Sequence, residues 1–272
     1  MLKILGLMTC FNRKEKTVLA LKQLINGNPD IAFSFIVVDD ASKDGTAEAL
    51  AEFDNVTVIC GNGNLFYSGG MRVAISEAQN TTNRYDYCLL FNDDVDFYES
   101  AIYNLCQKDC SFIWVGPTCD EDGGLSYGGV VKTSKLRPKT QIVMSDHANG
   151  LECDTFNANC VLIPWEMFIN LDNIDEVYTH SMGDFDYGFA AKNKGYRIRV
   201  SESYVGVCPD NPVNSNGNWR NRELSRKRRF QLKESPKGLP FHEYFYYLKK
   251  NYNIITAIVY SCIPYVRILI RR

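Results

Sequence analysis

Carboxylates in this chain gather where apolar runs end. Leu89-Leu90-Phe91 breaks off into Asn92-Asp93-Asp94-Val95-Asp96, and Phe33–Val38 breaks off into Asp39-Asp40. A third group, Asp184 and Asp186, opens a stretch that looks helical from Gly183 to Asn193. A short apolar run bounded in this way reads as a buried strand. In an open α/β sheet the carboxyl ends of the strands are where ligands bind. Carboxylate oxygens crowded there repel one another unless a cation lies between them. A hard divalent ion such as Mg²⁺ or Mn²⁺ takes oxygen ligands, often one or two carboxylates together with substrate phosphates. The chemistry suggested at 92–96 is therefore a metal that holds a diphosphate. The plain alternative is a solvated acidic turn leading into a helix, with Asp96 as its N-cap.

The elements needed to position these groups are legible along the first ~115 residues. Lys3–Met8, Phe33–Val38, Val56–Cys60 and Tyr85–Phe91 have strand character. Glu15–Ile25, the stretch through Ala47, Leu50 and Phe53, and a segment opened by Gly69-Gly70 have helical spacing. Alternating strands and helices predict an α/β fold with a mainly parallel central sheet, helices on both faces and polar loops at the carboxyl ends. The second half is less regular. Strands are expected at Phe112–Val115, Leu125–Val131, Phe156–Ile163, Tyr196–Val200 and Tyr204–Val207, with 132–150 as a mobile loop.

At 272 residues, 45% hydrophobic and 23% charged, the chain has the composition of an ordinary globular protein. Its net charge of −2 conceals a split: residues 218–272 hold 13 Lys+Arg against 3 Asp+Glu. This basic, aromatic helical tail, from Arg220–Arg229 through Tyr244–Tyr247 to Arg271-Arg272, suggests an anionic neighbour such as a membrane surface. The apolar stretch from Ile254 is broken by Pro264 and Arg267. It suits an amphipathic helix in the interface better than a span, while a helix docked on the domain stays open. The ten cysteines show no paired CxxC spacing and are expected as buried free thiols, Cys106 and Cys110 on one helix face. Met1-Leu2-Lys3 runs straight into the first strand, which suggests a cytoplasmic protein.

Four landmarks then fall into order: Thr9-Cys10-Phe11-Asn12-Arg13, Val37-Val38-Asp39-Asp40-Ala41-Ser42, Phe91-Asn92-Asp93-Asp94-Val95 and Met182-Gly183-Asp184-Phe185-Asp186. Together with Asn64–Met71 they resemble the family 2 glycosyltransferases of the GT-A fold. The likeness covers roughly residues 1 to 210 and points to the bacterial surface-polysaccharide branch, including rhamnosyltransferase-like members. The resemblance implies a GT-A domain over 1–217, with a nucleotide half near 1–115 and an acceptor half near 116–217, and a separate tail at 218–272.

It also implies roles. Asp94 resembles the metal-binding carboxylate, and Asp93 its partner at metal or nucleotide. Asn92 stands where many relatives have Asp. Thr9, Phe11, Arg13, Asp39, Asp40, Gly69 and Gly70 correspond to nucleotide-binding positions, Phe11 replacing a more usual Tyr. Asp184 resembles the catalytic base, with Asp186 a second choice that could also serve the acceptor. Trp165 and His180 are candidates for the acceptor side, and Asn157 and Asn159 for the sugar. The implied cofactor is Mg²⁺ or Mn²⁺, and the donor a UDP- or dTDP-sugar. The acceptor is a glycan or lipid-linked glycan, reached from the inner face of the membrane, with inversion at the anomeric carbon. No nucleic acid partner is expected, and a homo-oligomer is open. Two other readings stand beside this one. A sugar nucleotidyltransferase usually shows a Gly-rich basic loop after strand one, which Thr9–Arg13 lacks. A catalytically silent nucleotide-binding scaffold would not need both Asp94 and Asp184.

Overall fold

The computed structural model describes residues 1–209 and 215–270. Arg271-Arg272, the end of the basic tail, and residues 210–214 of the expected acceptor half lie outside the described residues. The first half runs β1 (Leu2–Cys10), α1 (Lys14–Gly27), β2 (Ile31–Asp39), α2 (Thr46–Leu50), β3 (Val56–Cys60), α3 (Phe66–Gln79), β4 (Tyr87–Phe91), β5 (Asp96–Phe97), α4 (Ala101–Cys106) and β6 (Phe112–Val115). It continues through β7 (Thr118–Cys119), β8 (Leu125–Tyr127), β9 (Gly129–Lys132), β10 (Thr140–Val143), β11 (Leu151–Cys153), β12 (Thr155–Phe156), β13 (Cys160–Pro164) and α5 (Trp165–Phe168). Then come α6 (Gly183–Asn193), β14 (Arg197–Val200), β15 (Gly206–Val207), α7 (Arg226–Glu234), α8 (Phe241–Asn251) and α9 (Ile254–Ile270).

The central sheet has eight strands in the order β11-β14-β6-β13-β4-β1-β2-β3. Strands β3, β2, β1 and β4 are parallel, as expected from the βα repeats. β13 then enters antiparallel between β4 and β6, so the sheet is mixed and runs unbroken from the first half into the second. Period-two alternation places side chains on opposite faces. Leu5, Leu7, Ile36, Val38, Cys88 and Leu90 face one core, with α3, α5, α6 and α8. Ile4, Met8, Phe35, Val37, Leu89 and Phe91 face the other, with α1 and α4. Residues buried on both faces of one strand explain why β4 (Tyr-Cys-Leu-Leu-Phe) reads as a continuous apolar run.

Several expectations change. The polar 132–150 segment holds β10, which pairs antiparallel with β9. Leu125–Val131 is two strands, β8 and β9, in different sheets. Asp96 starts β5 and caps nothing, since Ser100 precedes α4. α4 ends at Cys106, so Cys110 does not share its face, and Cys60, Cys110 and Cys262 are exposed. All ten cysteines are free. The tail is no loose appendage: Tyr247 and Leu248 of α8 are buried in the main core. Lys250 Nζ donates to Asp186 Oδ2 at 2.7 Å and Asn251 Nδ2 to Asp186 Oδ1 at 2.7 Å. Tyr246 donates its hydroxyl proton to Asp175 at 2.6 Å.

Candidate functional site

Strand register brings three loops together. Cys10 lies opposite Asp39, Asp39 opposite Cys60, and Leu7 opposite Leu90. The 9–13 loop after β1 is fixed to the 39–44 loop through Asn12, whose φ is +52°. Asn12 N–H donates to Ser42 Oγ at 2.8 Å, and Lys43 N–H donates back to Asn12 Oδ1 at 2.8 Å. This lock leaves Phe11 half-exposed at the rim and directs Arg13 toward the loop after β4. There, Arg13 Nη1 donates to Asp93 Oδ1 at 2.9 Å and to Asp94 Oδ2 at 3.2 Å. Thr17 donates to the other oxygen of Asp93 at 3.0 Å. Burial pushes the Asp93 carboxyl up, and Arg13 pulls it back only in part.

Asp94 differs from its neighbour. Its side chain is 33% exposed, whereas that of Asp93 is 5% exposed. The Cys208 thiol approaches Asp94 Oδ1 at 3.7 Å and is itself met by Asn159 Nδ2 at 3.3 Å. All three residues of the 92–94 loop open onto a cleft of about 620 Å³, which Thr9, Phe11, Arg13, His180 and Asp184 also line. Among the described residues no three His, Cys, Asp or Glu side chains gather as a closed metal cage. The donors present fit a different arrangement: a hard cation held by the accessible Asp94, with diphosphate and water as its other ligands. Both oxygens of Asp93 are engaged, by Arg13 and Thr17, and its side chain is far less accessible than that of Asp94.

The carboxylates after β2 turn inward. Asp40 Oδ1 accepts from Gly63 N at 2.8 Å, and Oδ2 accepts from Leu65 N at 2.9 Å and Phe66 N at 3.0 Å. Asp40 therefore borders the cleft while capping the start of α3. Asp39 is buried, and its Oδ1 accepts from Ser42 N at 3.0 Å. Gly69 and Gly70 lie inside α3 and do not open it. A Cβ on Gly70 would fall 2.2 Å from Thr9 Oγ1, so this glycine lets α3 lie against β1. Gly70 serves this packing, and neither glycine lines the cleft where sequence reading expected an approach to nucleotide.

From the other side, Met182 at φ +68° turns the chain into α6 and sets Asp184 in its first turn. Asp184 Oδ1 accepts from Phe185 N at 2.8 Å and Oδ2 from Ala158 N at 3.4 Å. Burial pushes its carboxyl up to about 6 despite those two donors. The Tyr67 phenol, pushed up by burial and by both Asp184 and Asp94, lies within reach of both charges. His180 Nδ1 accepts from Tyr67 N at 3.4 Å, and its imidazole is pushed down to about 4 by burial, then by Lys237 and Arg13. Neutral His180 thus carries its proton on Nε2 and can donate from it. Asn157 lines the cleft with its Oδ1 buried and without a hydrogen-bond partner among the described residues.

Two expected acceptor residues lie elsewhere. Trp165 packs on Tyr85 and Phe168 and bonds Asp86 O, beside the amino end of β4 and away from the loops. Asp186 is buried and holds α8 through Lys250 and Asn251. Asp184 and Asp186 are only two residues apart, and the helix places them on different faces. Sequence reading missed Lys237, which reaches the cleft from the turn between α7 and α8. Its Ser-Pro-Lys-Gly context marks a turn, but nothing local says where that turn lands.

Residues 7–118 match the protein-family model described as Glycosyl transferase family 2. The match covers 112 of the 272 residues and marks that segment as similar to the family. The matched segment holds the 9–13, 39–44 and 92–94 loops; Asp184 and Lys237 lie beyond it. No curated protein sequence matches the chain. Solved structures share its GT-A fold at low identity. The mannosyltransferase PcManGT from Pyrobaculum calidifontis, in complex with GDP-Man and Mn²⁺, is 12% identical with a TM-score of 0.51, over 98% of this chain and 72% of that one. S. aureus TarS 1–349 in complex with UDP is 12% identical with a TM-score of 0.54, over 91% of this chain and 70% of that one.

Proposed function

We propose that this glycosyltransferase moves a sugar from a nucleoside-diphosphate sugar to a hydroxyl of a glycan or lipid-linked glycan, with inversion, in bacterial surface-polysaccharide synthesis. The observation that carries the reading is that Asp94 and Asp184, from opposite ends of the fold, line one cleft with separate environments. Asp94 is accessible and bound by Arg13. Asp184 is partly buried, with its carboxyl raised into the range where a general base works near neutral pH. The nucleotide and Mn²⁺ in the complexes of similarly folded proteins support the donor class.

In this reading the acceptor O–H gives its proton to Asp184. Its oxygen bonds the anomeric carbon while the carbon–oxygen bond to the β-phosphate breaks, and the nucleoside diphosphate leaves with the electron pair. The N–H groups of Phe185 and Ala158 hold the base in orientation. Phe11, exposed at the rim, offers a face for the base of the nucleotide. Bound at Asp94, Mg²⁺ or Mn²⁺ would supply charge neutralisation for the leaving diphosphate. His180 Nε2–H and Asn157 Oδ1 supply a donor and an acceptor for sugar hydroxyls. A panel of nucleotide sugars, scored for release of nucleoside diphosphate, tests the activity; no release from any donor, with glycan acceptors present, would overturn it.

A specific surface supports contact with the cytoplasmic face of a membrane. Among the described residues no helix is long and apolar enough to cross one. Ile255, Ile258, Val259, Val266, Leu269 and Ile270 nonetheless form an exposed stripe at helical spacing on α9. α7, which stacks on α9 through Phe230 and Tyr265, carries exposed Arg226, Lys227 and Arg228. Apolar and cationic faces side by side suit an anionic lipid surface. Truncation at Phe241 would remove α8 from the core, so the cleaner test is Ile255→Glu with Val259→Glu. Unchanged binding to anionic vesicles would remove the membrane reading.

A further inference from the structure

The cleft has a charge imbalance that the residues used so far leave unsolved. Asp93, Asp94 and Asp184 border it, and a donor would add a diphosphate. Arg13 is the obvious cation, yet its Nη1 is engaged by two of those carboxylates. Lys237 is the other cation lining the cleft, and no described residue forms an ion pair or hydrogen bond with its ammonium. It lies close enough to His180 to act on that imidazole together with Arg13.

Its position is built by several contacts. Glu234, the last residue of α7, accepts from Phe241 N at 3.1 Å at the start of α8 and from the Tyr265 hydroxyl of α9. Lys233 Nζ bonds the same carboxylate at 2.6 Å while lying over the Tyr265 ring. The 235–240 turn is closed by Gly238 N to Ser235 O at 2.8 Å and Leu239 N to Lys233 O at 2.8 Å. A Cβ at Gly238 would meet Leu232 O at 2.0 Å, so only glycine permits this fold-back. The turn then meets the segment that carries His180. Ser181 Oγ donates to Gly238 O at 3.4 Å, and Thr179 N donates to Glu243 Oε2 at 3.3 Å.

Resting on the glycosyltransferase reading, we propose that Lys237 binds the leaving diphosphate of the donor, so that the C-terminal helices complete the catalytic cleft. The substrate-binding charge comes from a segment more than a hundred residues beyond the family match, which explains why α7, α8 and α9 are tied together so firmly around one turn. Lys237 supplies a point charge through three rotatable donors. Lys237 and a cation at Asp94 would approach the diphosphate from different walls of the cleft.

Calorimetric titration of UDP, dTDP and GDP with saturating Mn²⁺, into the unaltered protein and into Lys237→Gln and Lys237→Arg, tests this. The diphosphate that binds best is expected to lose about tenfold in affinity in Lys237→Gln. Lys237→Arg should retain most of it, and the matching nucleoside monophosphate should lose less than the diphosphate. Equal diphosphate affinity in Lys237→Gln and the unaltered protein overturns the proposal, as does an equal loss in Lys237→Arg, which would make the effect steric. If the unaltered protein binds no nucleoside diphosphate, the glycosyltransferase reading itself fails.

Discussion

Arg13 and Asp94 are joined at 3.2 Å, through the same Nη1 that reaches Asp93 at 2.9 Å. The carboxylate best placed to hold a divalent ion is thus already bound to a guanidinium. A cation entering at Asp94 must displace that contact, and a diphosphate arriving with it offers Arg13 a new partner. Metal binding should therefore be weak without nucleotide and strong with it. Arg13→Gln is expected to bind Mn²⁺ more tightly than the unaltered protein when no nucleotide is present, as read by the loss of the free-ion EPR signal. Equal nucleotide-free affinity in the two proteins would contradict this coupling.

Asp93 should matter for stability more than for the ion. Its buried carboxylate is held by Thr17 and Arg13. Thr17→Val removes one charge-assisted hydrogen bond and is expected to cost about 1.5–3 kcal/mol in urea unfolding. Mn²⁺ affinity in the presence of nucleotide should stay within about twofold, a shift under ~0.5 kcal/mol.

The raised carboxyl of Asp184 has two consequences. As the proposed base, Asp184 acts in its charged form, so the rate should fall as pH drops through about 6, while donor binding persists. Stability runs the other way. A folded-state pKa above the unfolded value means the folded protein binds the proton more tightly. That contribution is present below the unfolded value near 3.8 and is lost as pH rises through about 6. Asp184→Asn removes the buried charge, keeps an oxygen for the Phe185 N–H, and should gain about 1–3 kcal/mol at pH 7 while abolishing turnover. Thermal melts and initial rates on the same sample check both halves. A variant that keeps full turnover would move the base elsewhere.

Asp186 should behave as a structural residue. Asp186→Ala removes a shared acceptor of Lys250 and Asn251; Lys250 is exposed and keeps Asp175, so the expected loss is about 1–3 kcal/mol. Nucleotide binding by the folded fraction should be intact. Loss of transfer to acceptor at unchanged stability and unchanged nucleotide binding would return Asp186 to the acceptor side.

Much of this was legible before the fold was seen, for local reasons. Strand ends announced themselves because β1, β2 and β4 are apolar on both faces and stop at polar loops, and strand register then carries Arg13, Asp93 and Asp94 together. Long-range placement was not legible. Asp40 read as a nucleotide-binding carboxylate, yet three backbone N–H groups from 63 to 66 claim it. Gly69-Gly70 looked like a helix start, and only contact with Thr9 shows why a side chain is excluded at Gly70. Trp165 and Lys237 are opposite cases of one limit. Nothing in the sequence near either says that the first packs at the far end of β4 while the second, from a tail read as separate, enters the cleft.

The central claim is a metal-dependent nucleoside-diphosphate site at Asp94. Titration of UDP, dTDP and GDP with and without Mn²⁺, into the unaltered protein and Asp94→Ala, tests it most directly. At least one nucleotide should bind about tenfold or more tightly with Mn²⁺, and Asp94→Ala should erase that difference while keeping its folded melting profile. Nucleotide affinity that ignores Mn²⁺, or metal dependence that survives in Asp94→Ala, would contradict the account.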